Sequence, residues 1–153
     1  MTSNQTVWKL LTFSRFDAPI LESWLQLRQT VFVVEQRCAY PDIDGRDADA
    51  LHLLGFVGDR LAAGARLFAP REEQLHAQIG RVVVAVEQRG SGLGKTLMQE
   101  ALDACLERWP ESPIKISAQA HLEHFYNSLG FRTISDQYDE DGIPHIDMEY
   151  RLK

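Results

Sequence analysis

Cysteine is scarce in this chain of 153 residues. Only Cys38 and Cys105 occur, far apart and outside any CxxC spacing. That pattern disfavours a disulfide framework and a cysteine-based zinc site, and suits free thiols in a reducing compartment. Long apolar runs are also missing. The longest, Val82 to Val86, is far below the roughly 20 residues needed to cross a bilayer, and Met1 to Lys9 lacks the apolar region of a signal peptide. A cytoplasmic protein without a membrane partner is expected. Basic charge is in deficit, with 16 Lys and Arg against 22 Asp and Glu and a net charge of -6. The electrostatic footprint of a nucleic-acid binder is absent, so no nucleic-acid partner is expected.

What the chain does have is ordinary globular chemistry: 44% apolar and 25% charged residues, enough for one well-packed domain over 1–153. Trp8 to Phe13 reads as an opening strand. Asp17 caps a following helix with Pro19 in its first turn, and Ile20, Leu21, Trp24, Leu25, Leu27, Arg28, Val31 and Phe32 form its apolar stripe. Whether Val31 to Val34 continues that helix or begins something extended is open. Leu51 to Val57 and Leu61 to Phe68 form a hairpin through Gly58-Asp59-Arg60, and Ile79 to Val86 continues the sheet. A helix from Leu93 ends at Trp109-Pro110. Ile114 to Ala118 is a strand, and a short helix then stops at Gly130, a residue suited to a left-handed cap. Phe131 to Ile134 and His145 to Tyr150 are strands flanking a turn-rich acidic segment, Asp136 to Pro144. The order β-α-β-β-β-α-β-α-β-β predicts an α/β (α+β) protein with a mixed sheet and helices on its faces.

The richest segment is the Val-rich strand running into Arg89-Gly90-Ser91-Gly92-Leu93-Gly94-Lys95-Thr96. Glycines let the backbone approach an anion, several N–H groups converge, and the positive end of the helix dipole points there, so phosphate is the expected ligand. A Walker A loop requires Gly where Arg89 stands, and no glycine triplet has the Rossmann spacing. Metal chemistry has little support. An EF-hand counted from Asp42 fails at Asp47 and Leu53, and His121-x-x-His124 lacks a third ligand.

Arg89-x-x-Gly92-x-Gly94 resembles the Gln/Arg-x-x-Gly-x-Gly/Ala turn of the GCN5-related N-acetyltransferases (GNAT). Phe125-Tyr126-Asn127-Ser128-Leu129-Gly130-Phe131 is similar to the aromatic pair and Gly-Phe on that family's late helix. The element order agrees as well. Leu27-Arg28-x-x-Val31-Phe32-x-x-Glu35-Gln36, the Tyr40-Pro-Asp-x-Asp44 loop and Asp141-Gly-Ile-Pro-His145-Ile resemble the ElaA-like branch. The resemblance implies a GNAT-type mixed, largely antiparallel sheet with helices on both faces, and an acetyl-CoA-dependent transfer to a primary amine through a tetrahedral intermediate.

By that resemblance, backbone N–H groups of Arg89, Gly90, Ser91, Gly92, Leu93, Gly94, Lys95 and Thr96 hold the pyrophosphate. The strand edge Val82, Val83, Val84 to Val86 pairs with pantetheine, with an N–H near Val83 or Val84 facing the oxyanion, and Gln119 replaces an Asn that many relatives place against pantetheine. Tyr126 becomes the acid toward the thiolate, or else a core residue on its apolar stripe. No carboxylate stands on the strand before the turn, so the base is open among His52, Glu35, His145 and water. Each side chain has a structural alternative: His52 shares a strand face with Leu54 and Phe56, Glu35 can pair with Arg28 or Arg37, and His145 can bond locally. Asp42, Asp44, Asp47 and Asp49 form either a solvated loop or an acidic rim drawing in a cationic amine. The acceptor is a small molecule or a peptide amine, no metal is implied, and a homodimer is left open. Two other functions compete: a non-catalytic acyl-CoA-binding module, and a P-loop-like hydrolase suggested by Gly94-Lys95-Thr96.

Overall fold

The computed structural model describes residues 5–151. Strand β1, Thr6–Thr12, leads into helix α1, Ala18–Arg28. The Asp17 side chain accepts from the Ile20 N–H at 2.9 Å and Pro19 sits in the first turn, where its missing donor costs nothing. The helix does not end in extended chain. It widens into a π-helical stretch, Gln29–Glu35, that carries Val31 into the interior. Strands β2 (Leu51–Val57) and β3 (Arg60–Phe68) form the expected hairpin, with Gly58 at φ +61°. Each strand carries a glycine beneath an indole. A Cβ on Gly64 would lie 2.3 Å from Trp24, and one on Gly55 2.6 Å from Trp8, so only glycine leaves room for those rings.

Strand β4 spans Ala77–Val84, shorter at its C-terminal end than the expected Val86. A 3-10 turn, Val86–Gln88, follows and leaves Val86 61% exposed. Helix α2 runs Leu93–Arg108, β5 Ile114–Gln119 and α3 Glu123–Asn127. Helix α3 closes with the Gly130 N–H bonded to Asn127 O and the Phe131 N–H to Tyr126 O, with Gly130 at φ +104°, the left-handed cap expected there. Strand β6 is only Arg132–Thr133. The segment expected to be irregular holds a further strand, β7 (Tyr138–Glu140), which pairs with β8 (Ile143–Tyr150). Asp141 at φ +51° and Gly142 at φ +81° make the two-residue turn that joins them.

The eight strands lie in the order β1-β2-β3-β4-β5-β8-β6, with β7 on β8, and only β4 and β5 run parallel. Alternation along the strands separates two cores. Leu53, Leu67 and Ile79 pack under α2 and α3 with Leu97, Met98 and Met148, while Leu54 and Val83 pack on the other face with Trp24 and Val31 of α1. The fold is a mixed, mostly antiparallel sheet with helices on both faces. Pairing between β4 and β5 stops after Ala77–Ile114 and Gln78–Lys115. Beyond that point the two strands diverge and leave facing edges unpaired.

Candidate active site

The divergence opens a cleft of about 420 Å³. Ile79 to Val84 of β4 form one wall and Ile116 to Gln119 of β5 the other. Arg89, Leu122, Tyr126, the π-helical segment, Tyr40, Glu140, Asp141 and His145 complete the lining. Of the residues singled out from sequence, Val82, Val83, Val84, Arg89, Gln119, Tyr126 and His145 meet here, and Val86 does not.

The direction of β4's backbone groups follows from its bonds to β3. The Ala85 N–H donates to Ala62 O at 2.8 Å, and Val83 lies opposite Gly64. Strand alternation therefore turns the N–H and C=O of Val84 toward the opened edge, where Arg89 Nε donates to Val84 O at 3.2 Å. The glycine turn starts just beyond. Gly90 and Gly92 stand at φ +81° and +84°. Among the described residues no backbone acceptor takes the N–H of Gly90, Ser91, Gly92, Leu93, Gly94 or Lys95. Six donors without a backbone partner thus lie at the N-terminal end of α2, the positive end of its dipole. Arg89 and Thr96 behave differently. The Arg89 N–H bonds Val86 O, and Thr96 directs both its N–H and its hydroxyl to Gly92 O.

Tyr126 is buried, its ring edge-on to Phe125 and Phe131. Burial pushes its phenol up to about 12, so it stays protonated. No group among the described residues hydrogen-bonds to its hydroxyl, which is not sealed from solvent. The oxygen is therefore free to meet something in the cleft.

The three side chains considered as bases are all engaged. His52 is fully buried and does not line the cleft. Its Nδ1 accepts from Trp24 Nε1 at 3.0 Å, so its Nε2 carries the hydrogen donated to Asp47 O at 2.8 Å, and burial holds its pKa below the ordinary value. Glu35 takes two bonds from Arg89, at 2.6 and 2.7 Å, which lower its pKa. His145 donates from Nδ1 to Ile143 O at 2.7 Å and sets Nε2 3.2 Å from the Glu140 carboxylate.

Of the acidic loop, Asp49 stays exposed to solvent, while Asp42, Asp44 and Asp47 are taken up by arginines. Arg28, fully buried, donates from Nε to Asp42 at 3.0 Å and from Nη1 to Asp47 at 2.8 Å. Arg66 grips Asp44 at 2.8 and 2.9 Å and Asp47 at 3.0 Å, while Arg81 Nε reaches Asp42 at 2.8 Å. Three arginines cancel three aspartates, so Asp42, Asp44 and Asp47 carry no field outward to attract an amine. Asp42 and Asp47 are themselves buried. Arg28 on an otherwise apolar helix stripe, 14 positions before Asp42, the first aspartate of the loop, is the sequence signal that announces this cluster. Cys38, Tyr40 and Glu140, which sequence reasoning did not place in the site, reach it through the π-helical segment and β7. Cys38 Sγ donates to Asp141 O at 3.1 Å and ties the two together across the cleft. Among the described residues no group of three or more His, Cys, Asp or Glu side chains is placed to hold a metal, and no helix is long and apolar enough to cross a membrane.

The fold recurs in known proteins. The protein ElaA of Escherichia coli strain K12 is 45% identical over 143 residues, covering 92% of this chain and 94% of the relative. The crystal structure of Escherichia coli ElaA superposes with a TM-score of 0.90 at 43% identity, over 96% of this chain and 100% of that one. An acyl-CoA N-acyltransferase from Pseudomonas aeruginosa superposes with a TM-score of 0.90 at 39% identity, over 95% and 99% of the two chains. The acetyltransferase (GNAT) domain family matches residues 26–152. The chain belongs to the GNAT acetyltransferase family.

Proposed function

We propose that the chain moves an acetyl group from acetyl-CoA to the primary amine of a small molecule or peptide. The observation that carries this reading is the continuity of the opened β4 edge with six free N–H donors at the glycine turn. A pyrophosphate on Gly90 to Lys95 positions a pantetheine arm along Val82 to Val84, where peptide-like amide groups pair with an unpaired strand edge. The outward N–H of Val84 is then the donor for charge developing on the thioester oxygen. Tyr126 donates to the sulfur as it leaves. Gln119, facing this edge from β5, adds a side-chain contact. The acceptor enters beside Tyr40, Glu140 and His145, and its proton departs to cleft water, because His52, Glu35 and His145 are engaged. Two unpaired thiols, Cys38 and Cys105, suit a cytoplasmic setting.

The test is release of free CoA thiol when acetyl-CoA is mixed with a panel of primary amines, read against Gly94→Glu. A Cβ at Gly94 meets only Val84 Cγ2 at 3.8 Å and Phe125 Cζ at 4.0 Å, so the backbone accepts a side chain while its carboxylate opposes the phosphates. Loss of acetyl-CoA binding in folded Gly94→Glu, measured by calorimetry, is the expected outcome. Unchanged affinity would falsify the pyrophosphate assignment. The engagement of His52, Glu35 and His145 favours a second reading, an acyl-CoA-binding module without transfer, and tight acetyl-CoA binding with no thiol release from any amine would establish it.

A further inference from the structure

Strand β4 is interrupted where it enters the cleft. Its register against β3 shifts between Gly64 and Arg66, and Arg81 stands at φ +48° in the middle of the strand. A non-glycine residue in the left-handed region is strained, and such strain persists where the surroundings hold it. Here the surroundings hold a guanidinium. Arg81 Nε donates to the Asp42 carboxylate at 2.8 Å and Nη2 to the Asp42 carbonyl at 3.1 Å, with Asp44 3.5 Å away. Asp42 is fixed in turn by Arg28, and the Tyr40 ring lies 5.3 Å from the guanidinium. The group is therefore set in place before any ligand arrives. Its Nη1 has no partner among the described residues and is not sealed from solvent. The side chain is 20% exposed and lines the cleft.

With Nε and Nη2 turned to Asp42 and Asp44, the planar guanidinium presents Nη1 as a charge-assisted donor to a carboxylate. Glu140 and Asp141 of the β7–β8 hairpin line the same cleft, opposite in sign and suited to an ammonium. We infer that Arg81 is a specificity-determining residue that reads a carboxylate on the acceptor, making the preferred acceptor an amino acid or a peptide with a carboxylate close to its reactive amine. The inference deepens the acyltransferase reading and rests on it for the word acceptor, but its test does not require turnover.

The probes are glycine, β-alanine and 4-aminobutyrate, each paired with its amide, titrated calorimetrically into the CoA-saturated protein, with thiol release from acetyl-CoA recorded in parallel. The acid of at least one pair is expected to bind about 10- to 100-fold more tightly than its amide, the range of a charge-assisted pair. Arg81→Gln should bring that ratio close to one, and Arg81→Lys should restore it in part. Unchanged CoA affinity verifies that each variant is folded. Equal weakening of acid and amide in Arg81→Gln assigns Arg81 to holding the Asp42 loop and overturns the inference. An intact protein that binds no acid better than its amide overturns it as well, and this decides the matter alone if the variants do not fold. Acid-selective binding without thiol release would leave the inference standing and sink the transferase reading instead.

Discussion

Replacing Tyr126 by phenylalanine removes one oxygen and leaves the ring against Phe125 and Phe131. Because no group among the described residues bonds to that hydroxyl, its loss should change folding stability by less than about 0.5 kcal/mol, below the ordinary value of a hydrogen bond. The effect on chemistry is different in kind. A leaving thiolate has a reference pKa of about 8.5, and the Tyr126 phenol is pushed up to about 12. Complete proton transfer is uphill by roughly 3.5 units, about 5 kcal/mol, so Tyr126 acts by donating a hydrogen bond to sulfur as negative charge develops. A bond to a charged acceptor contributes about 1.5–3 kcal/mol, which predicts a fall in turnover of roughly 10- to 150-fold with acetyl-CoA affinity unchanged. The assay is thiol release at saturating acetyl-CoA with the best acceptor, alongside urea unfolding and calorimetry of both proteins. A thioester with a more acidic thiol should narrow the gap, since its leaving group needs less help. Turnover of Tyr126→Phe within threefold of the parent, or a loss that does not vary with the leaving group, refutes the assignment and returns Tyr126 to the core.

Gly64→Ala places a methyl 2.3 Å from the buried Trp24 ring, and such overpacking should lower the unfolding free energy by about 2–3 kcal/mol; a urea midpoint equal to the parent's would show that α1 can lift off the sheet freely. Asp44 is held well below the usual carboxylate range, first by its bonds from Arg66. Its contribution is therefore present above the unfolded value near 4 and is lost as pH falls below it, by up to about 1.4 kcal/mol per pH unit. Asp44→Asn should be less stable at pH 7 and show a flatter acid limb in urea titrations from pH 7 to 3, whereas parallel curves would deny that linkage. His52, whose pKa is lowered chiefly by burial, should titrate below the ordinary imidazole value of about 6.5 when its NMR shift is followed against pH. A normal titration there would mean that the Trp24–His52–Asp47 bonds open in solution.

The parts of the fold legible in the sequence are those whose signals are local. The β2–β3 hairpin shows in two apolar runs around Gly58, the α1 start in Asp17 and Pro19, and the α3 end in Gly130, because each depends on one residue's backbone preference or capping chemistry. Strand β7 is not legible as a strand. Tyr138-Asp139-Glu140 is short, polar and charged, and it becomes extended because β8 offers an edge and Asp141-Gly142 supplies a two-residue turn. That dipeptide is the one hint of the hairpin. The end of β4 is set by the 3-10 turn Val86–Gln88, although Ala85 still bonds Ala62 of β3, and its own run of valines does not mark that stop.

The candidate site divides along the same line. The glycine turn is readable because a phosphate seat is made of backbone, and the glycines that permit it are visible. The rest depends on pairing across distance. In sequence Glu35 has Arg28 or Arg37 as nearby partners, and only the fold brings Arg89, 54 positions away, to close on it instead. His52 looks like a candidate base until Trp24 and Asp47 take both its nitrogens. Four aspartates in one loop suggest a negative rim, yet Arg28, Arg66 and Arg81 arrive from a helix and two strands to cancel three of them. Neutralising that loop has a consequence for recognition. Arg28 and Arg66 are buried behind the carboxylates they bind, so the cluster presents one guanidinium edge to the cleft, that of Arg81. Had the loop stayed acidic, any cation would have been drawn to this wall. With it neutral, attraction for an ammonium is left to Glu140 and Asp141 of the β7–β8 hairpin, which line the same cleft.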